Sequence, residues 1–261
     1  MTAEGKESGN KRQRVFTART LAANVVTTLA LSAGMTAIRF ALEDRYELAV
    51  VFVIAAGILD GLDGAIARLL KSASRFGAEL DSLSDVVAFG VAPAFLLYSW
   101  GLADLGRVGW IAALAFGVAC ALRLARYNAR IDDPVSPKRA MGYFSGVPAP
   151  AGAGLAVLPM MLDFAFEAPV FRDSIWLVGY VALIAGLMVS TLPTYSLKQV
   201  RVSRDKLVPV LFFVAMFAAS VTVYRWGAVA VATIAYLLSL PLSGLTYRRK
   251  LRRLAARRRE D

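Results

Sequence analysis

Residues 59–87, LDGLDGAIARLLKSASRFGAELDSLSDVV, decide how this chain is read. The stretch lies between long apolar runs and yet carries Asp60, Asp63, Asp81 and Asp85. On a helix, Asp60 and Asp63 stand at i and i+3 and share a face with Gly64 and Ala67, flanked by Arg68. A second helix beginning near Gly77 puts Asp81 and Asp85, at i and i+4, on one face of its own. The connection LLKSASRF is short, so the two helices are expected to be antiparallel neighbours. Their facing ends then bring four acids into one small volume.

Carboxylates crowded in a low-dielectric setting repel one another, and charge inside a membrane protein is expensive. Protonation, basic partners or bound cations relieve such a cluster. Aspartate and water oxygens suit Mg²⁺ or Mn²⁺, and four aspartates have the capacity for two ions ~4 Å apart, the arrangement that clamps phosphate oxygens. Gly64, Ala67 and Gly77 leave room for a ligand beside the backbone. Two other readings stand alongside. The acids pair with Arg68, Lys71 and Arg75 at a helix end, or they mark the path of an ion-coupled transporter. A transporter would more naturally place its acids near mid-membrane on several helices.

Working outward, 57% of the 261 residues are hydrophobic, and apolar runs of membrane length predict about eight helices, near 21–42, 48–68, 80–100, 108–127, 149–166, 174–192, 208–224 and 227–246. The net charge of +11 lies in loops and tails between these runs, which fits membrane orientation better than nucleic acid, and no nucleic-acid partner is expected. With the N-terminus placed in the cytoplasm, 25 of the 30 Lys and Arg residues fall on the cytoplasmic side; Arg39, Arg45, Arg107, Arg172 and Arg225 fall on the other. That asymmetry supports an even number of spans with both termini inside. The lead-in MTAEGKESGNKRQR is polar for too long to be a cleaved signal peptide and reads as a disordered cytoplasmic segment. No internal repeat or low-complexity linker divides the chain. The expected organisation is a basic N-terminal segment at 1–20, one integral membrane domain at 21–246 and a basic C-terminal tail at 247–261. The tail YRRKLRRLAARRRED is read as a topology anchor, with a helix on anionic headgroups as the other reading.

The chain has no histidine, which excludes histidine bases, histidine metal ligands and a phosphohistidine intermediate. The single cysteine, Cys120, rules out an internal disulfide and reads as a small packing residue.

The pattern Asp60-x-x-Asp63-Gly64-x-x-Ala67-Arg68, then Gly77-x-x-x-Asp81-x-x-x-Asp85, resembles the signature of the CDP-alcohol phosphatidyltransferases at all eight fixed positions. Membrane aromatic prenyltransferases also carry Asp-rich helices, but in two clusters far apart in sequence. The resemblance implies an all-α membrane fold with six core helices around a polar cavity open to the cytoplasm, binding a CDP-linked lipid and divalent metal. It implies Asp60, Asp63 and Asp81 as metal ligands, with Asp85 completing the metal site and serving as general base. Gly64, Ala67, Arg68 and Gly77 would lie against the cytidine diphosphate. Asn24 and Thr27 resemble the family's N-x-x-T element at the first helix, although the usual preceding proline is Ala23 here. A homodimer is implied as well, without an interface signature in the sequence.

The acceptor alcohol is a separate question. RFGAELDSLSDVVAFGVAPA, ALRLARYN and YFSGVPAPAGAG closely resemble the membrane-bound phosphatidylserine synthases, over roughly 21–159. Arg123 and Arg126, at i and i+3 on the fourth helix, would hold the acceptor's carboxylate through paired hydrogen bonds; the plain alternative makes them topology anchors. Asn128 is a further hydrogen-bond candidate, Ser82 and Ser84 either support the acids or merely pack and cap, and GVPAPAG reads as the turn into the fifth helix. The reading is of a cytoplasmic-membrane enzyme that moves the phosphatidyl group of CDP-diacylglycerol to L-serine. Glycerol 3-phosphate, inositol phosphate or an amino alcohol are the alternative acceptors.

Overall fold

The computed structural model describes residues 18–70, 74–129, 143–167, 172, 174–195 and 207–260. The N-terminal lead-in, Lys71 and the basic segments 130–139 and 198–206 lie outside the described residues.

Helix α1 (Ala18–Leu42) and helix α2 (Tyr46–Leu70) form an antiparallel pair with the most extensive contact in the molecule. Their connection is tight because Asp44 takes a left-handed conformation, φ 56°, and Arg45 N–H donates back to the Phe40 carbonyl at 2.9 Å. Close packing follows from the small residues Ala30, Ala33, Ala37 and Ala41, buried along one stripe of α1. A Cβ on Gly34 would stand 2.7 Å from the Ala88 Cα, so that glycine also sets how near the third helical stretch approaches.

That stretch begins at α3 (Arg75–Asp85), two residues earlier than expected, because Ser74 caps it: the Gly77 N–H donates to Ser74 Oγ at 3.0 Å. It runs on through a wide π-helical turn at Val86–Val91, α4 (Ala92–Leu97) and a second π turn at Tyr98–Leu102. The chain then reverses at Gly106, φ 58°, into α5 (Gly106–Asn128), which folds back along the π turns. Cys120 is buried there, with its Sγ 3.3 Å from where a Gly90 Cβ would lie, as its place in an apolar run suggested.

The fifth span departs from the single helix expected over 149–166. It is two helices, α6 (Ala149–Ala156) and α7 (Leu158–Phe166), separated at Val157. The cause is Pro159, which has no N–H to give the carbonyl four residues back and crowds it sterically. That carbonyl, on Leu155, accepts the Tyr180 hydroxyl at 2.6 Å instead. Tyr180→Phe should therefore lower stability by about 1–3 kcal/mol, the range for an orphaned buried acceptor, read as a lower melting temperature in detergent. An unchanged melting temperature would mean the proline break needs no outside partner.

The remaining elements are α8 (Ile175–Val189), α9 (Leu207–Val223) and α10 (Arg225–Glu260), with a short antiparallel ribbon of β1 (Tyr143–Ser145) and β2 (Pro193–Tyr195). Nothing in the apolar pattern announced the ribbon. Helix α10 does not stop near 246 but continues through the basic tail as one helix of 36 residues, ~54 Å at 1.5 Å per residue. The ribbon steadies its far half: Ser243 donates to the Pro193 carbonyl, and Tyr143 meets Tyr247 edge-on with Lys250 over its ring.

Large apolar side chains cover the outer surface, with Trp176 76% and Phe213 71% exposed. Such a surface is untenable in water and suited to lipid. Among the described residues, five helical stretches are long and apolar enough to cross a membrane, and Ile175–Val189 and Val208–Val223 are shorter apolar helices. The chain is a polytopic, helical membrane protein.

Candidate active site

The acids assemble where α2 ends and α3 begins. Asp60, Asp63 and Asp81 each offer a carboxylate oxygen within 4.8 Å of the others, the grouping that a divalent cation takes. Asp63 is the most enclosed, 6% exposed. Thr27 on α1 orients it: the Thr27 hydroxyl donates to Asp63 Oδ2 at 2.7 Å, with the Ala23 carbonyl at 3.2 Å. A hydrophobic helix thus supplies a directed hydrogen bond to a buried carboxylate and holds one of its oxygens in place.

Asp85 lies outside that grouping of three. It stands one turn further along α3, in the electrostatic field of Asp60, Asp81, Asp63 and Arg123. The π turn at Val86–Val91 starts at the next residue. Such widened turns occur often at functional sites.

The small residues behave as spacers. A Cβ on Gly77 would come within 2.8 Å of Asn24 Oδ1 and 3.0 Å of Ser74 Oγ, so glycine lets α1 and α3 close on each other and keeps the cap. This brings Asn24 and Thr27, the N-x-x-T element, to the acids. A Cβ on Gly64 would meet Arg68 Nη1 at 3.5 Å, which places the exposed guanidinium beside bare backbone. Ala67 follows on the same helix.

The two arginines of α5 part company. Arg126, expected at the acceptor, donates from Nη1 to the Val189 carbonyl at 2.6 Å and from Nη2 to the Ser190 carbonyl at 3.0 Å. It caps the end of α8, where carbonyls lack helical partners and the helix dipole favours a cation. Arg126→Ala should then cost about 1.5 kcal/mol, the low end for bonds to a charged group because the contact is partly exposed. The expected readout is a lower melting temperature with the acceptor KM unchanged. A raised acceptor KM at constant melting temperature would return Arg126 to the substrate.

Arg123 is largely buried instead, within the electrostatic reach of Asp85. Asn128 Nδ2 donates to Ser82 Oγ at 2.7 Å, Ser82 donates to the Ala78 carbonyl at 2.9 Å, and Ser84 donates to the Thr27 carbonyl at 3.3 Å. The first and the last of these fasten α5 to α3 and α3 to α1 around the acids. One polar group near Arg123 escaped the sequence reading: Tyr236 on α10, in an apolar run with no motif around it.

A cavity of about 730 Å³ between α7, α9 and α10, lined by Phe164, Phe217, Tyr224 and Trp226, is a different place. Arg225 at its rim approaches Glu47 at 3.9 Å, at the start of α2, whereas the acids occupy the other end of that helix.

Compared with known proteins, residues 20–191 match the sequence model of the CDP-alcohol phosphatidyltransferase family. The chain is similar to proteins named CDP-diacylglycerol–serine O-phosphatidyltransferase. That of Mycobacterium leprae (strain TN) is 39% identical over 218 residues, 84% of this chain and 72% of the relative. That of Mycobacterium tuberculosis (strain H37Rv) is 39% identical over 224 residues, 84% and 77% respectively. That of Helicobacter pylori (strain J99) is 36% identical over 195 residues, 74% and 79%.

Proposed function

The chain belongs to the CDP-alcohol phosphatidyltransferase family, and from that premise we propose that it transfers the phosphatidyl group of CDP-diacylglycerol to the hydroxyl of L-serine, giving phosphatidylserine and CMP. The observation that carries this reading is the convergence of Asp60, Asp63 and Asp81 beside Asp85, in a chain 36–40% identical to serine-accepting relatives over most of its length.

The donor set suits a hard divalent cation: three carboxylates, no sulfur and no imidazole. Asp60, Asp63 and Asp81 would hold Mg²⁺ or Mn²⁺, two ions per site with Asp85 at their edge. Bound there, such cations neutralise the pyrophosphate and stabilise charge developing on the transferred phosphorus. Thr27 keeps Asp63 oriented, and the spacers Gly64, Ala67 and Gly77, with Asn24 and Arg68, would accommodate the cytidine diphosphate. Asp85 takes the proton from the serine hydroxyl, whose oxygen attacks the lipid-side phosphorus in line. The new bond joins serine oxygen to that phosphorus, and the bond to the CMP phosphate breaks. CMP leaves as a stable anion, so the reaction needs no strong general acid and no histidine. Arg123, within the electrostatic reach of Asp85, would receive the serine carboxylate, and Arg126 would instead hold the end of α8.

The charge asymmetry supports a cytoplasmic membrane location with about eight spans, both termini and the acids on the cytosolic face, and one membrane domain over 21–246. The experiment is incorporation of radiolabelled serine into lipid by purified enzyme with CDP-diacylglycerol and Mg²⁺ or Mn²⁺, and glycerol 3-phosphate in a parallel tube. Serine label that disappears on chelation is expected. Label from glycerol 3-phosphate alone would keep the mechanism and overturn the acceptor.

A further inference from the structure

Among the described residues, two buried side-chain polar atoms have no hydrogen-bond partner: Nε of Arg123 and the hydroxyl of Tyr236. The two residues are more than a hundred positions apart in the chain, on α5 and α10. They nevertheless lie in each other's electrostatic reach, and Arg123 feels Asp85 as well. A buried donor left unpaired costs about 1–3 kcal/mol, more when it is charged. Native proteins keep few of them. Two within each other's reach, one of them also within reach of the proposed base, therefore point to a ligand that satisfies both.

The chemistry of that ligand follows from the donors. Arginine only donates, and the tyrosine hydroxyl donates readily. The complement is a group with at least two acceptor oxygens and a negative charge to offset the guanidinium. A carboxylate has both. An α-amino acid bearing its hydroxyl one carbon further along would reach from such a seat toward Asp85.

We propose that Tyr236, on the last helix, is a specificity-determining residue that completes the acceptor pocket, holding with Arg123 the carboxylate of the acceptor amino acid; this rests on the serine reading above. The tyrosine distinguishes a carboxylate-bearing alcohol from one without, and Arg123 supplies the attraction. The same arrangement makes α10 part of the active site, although residues 20–191 carry the whole family match and the acidic motif lies on α2 and α3.

The test is Tyr236→Phe in the full-length enzyme, assayed in detergent or nanodiscs beside the wild type. Phenylalanine keeps the ring and removes an unpaired hydroxyl, so the melting temperature should hold or rise. The serine KM should increase about tenfold, the equivalent of one lost hydrogen bond. The CDP-diacylglycerol KM should stay within about twofold. Protection of the protein by serine against thermal unfolding should weaken in parallel, which reads binding apart from turnover. Arg123→Lys, which keeps the charge and loses the fork, should raise the serine KM further. A serine KM and serine protection equal to wild type in Tyr236→Phe would overturn the proposal. Wild-type enzyme that accepts glycerol 3-phosphate and not serine would overturn the serine reading itself, a result visible before any variant is made.

Discussion

Asp85→Asn is expected to lower kcat by about 10²–10⁴-fold, the contribution of a positioned general base, while CDP-diacylglycerol still binds. Asparagine has nearly the same shape, so the turn into the π segment at Val86 and the packing of α3 on α1 should persist. What it lacks is a basic oxygen beside Arg123. Because Asp85 lies outside the grouping of Asp60, Asp63 and Asp81, the metal dependence of lipid binding should change little. Steady-state kinetics with both substrates varied, together with equilibrium binding of CDP-diacylglycerol, separate the two effects. Wild-type turnover would remove Asp85 from the base role. Loss of lipid binding equal to the loss of turnover would place it among the metal ligands.

Asp63→Ala is expected to abolish measurable transfer and to weaken Mn²⁺ binding by more than about 100-fold, since loss of an outer partner alone costs about 10–100-fold. Thr27→Val supplies that outer-partner comparison in the same protein. It removes the 2.7 Å hydrogen bond to Asp63 Oδ2 and leaves the carboxylate, so it should fall within the 10–100-fold range. Titration of Mn²⁺ followed by electron paramagnetic resonance reads both variants without requiring activity. Full Mn²⁺ affinity in Asp63→Ala would mean that the three carboxylates do not form the cation site. Equal effects of the two substitutions would mean that Thr27 does more than orient its neighbour.

Much of the site is legible locally. The 3.6-residue helical period alone puts Asp60 with Asp63 and Asp81 with Asp85 on their faces, and the eight residues between Arg68 and Gly77 are too few for anything but an antiparallel return. The glycines announce close approaches, and Gly77 against Asn24 is such a contact. The same local logic was insufficient at Arg123 and Arg126. Residues three apart on a helix differ by only ~60° around its axis, so the sequence placed both on one face. In the fold one guanidinium caps the end of α8, and the other is buried within the electrostatic reach of Asp85.

Short-range period and composition alone give a helical membrane chain, the approximate place of each apolar run, and a hairpin presenting acids to a shared volume. The tertiary structure decided matters that depend on partners distant in the chain. Pro159 predicts a lost hydrogen bond, but that the Leu155 carbonyl gains Tyr180 instead follows from how α8 lies against α6. The ribbon of β1 and β2 exists because segments about fifty residues apart pair beside α10. Tyr236 is one more aromatic residue in an apolar run until α10 packs against the bundle and leaves its hydroxyl buried and unpaired, within the electrostatic reach of Arg123. Helix period sets the face on which a side chain stands; only the packing of whole helices sets what that face meets.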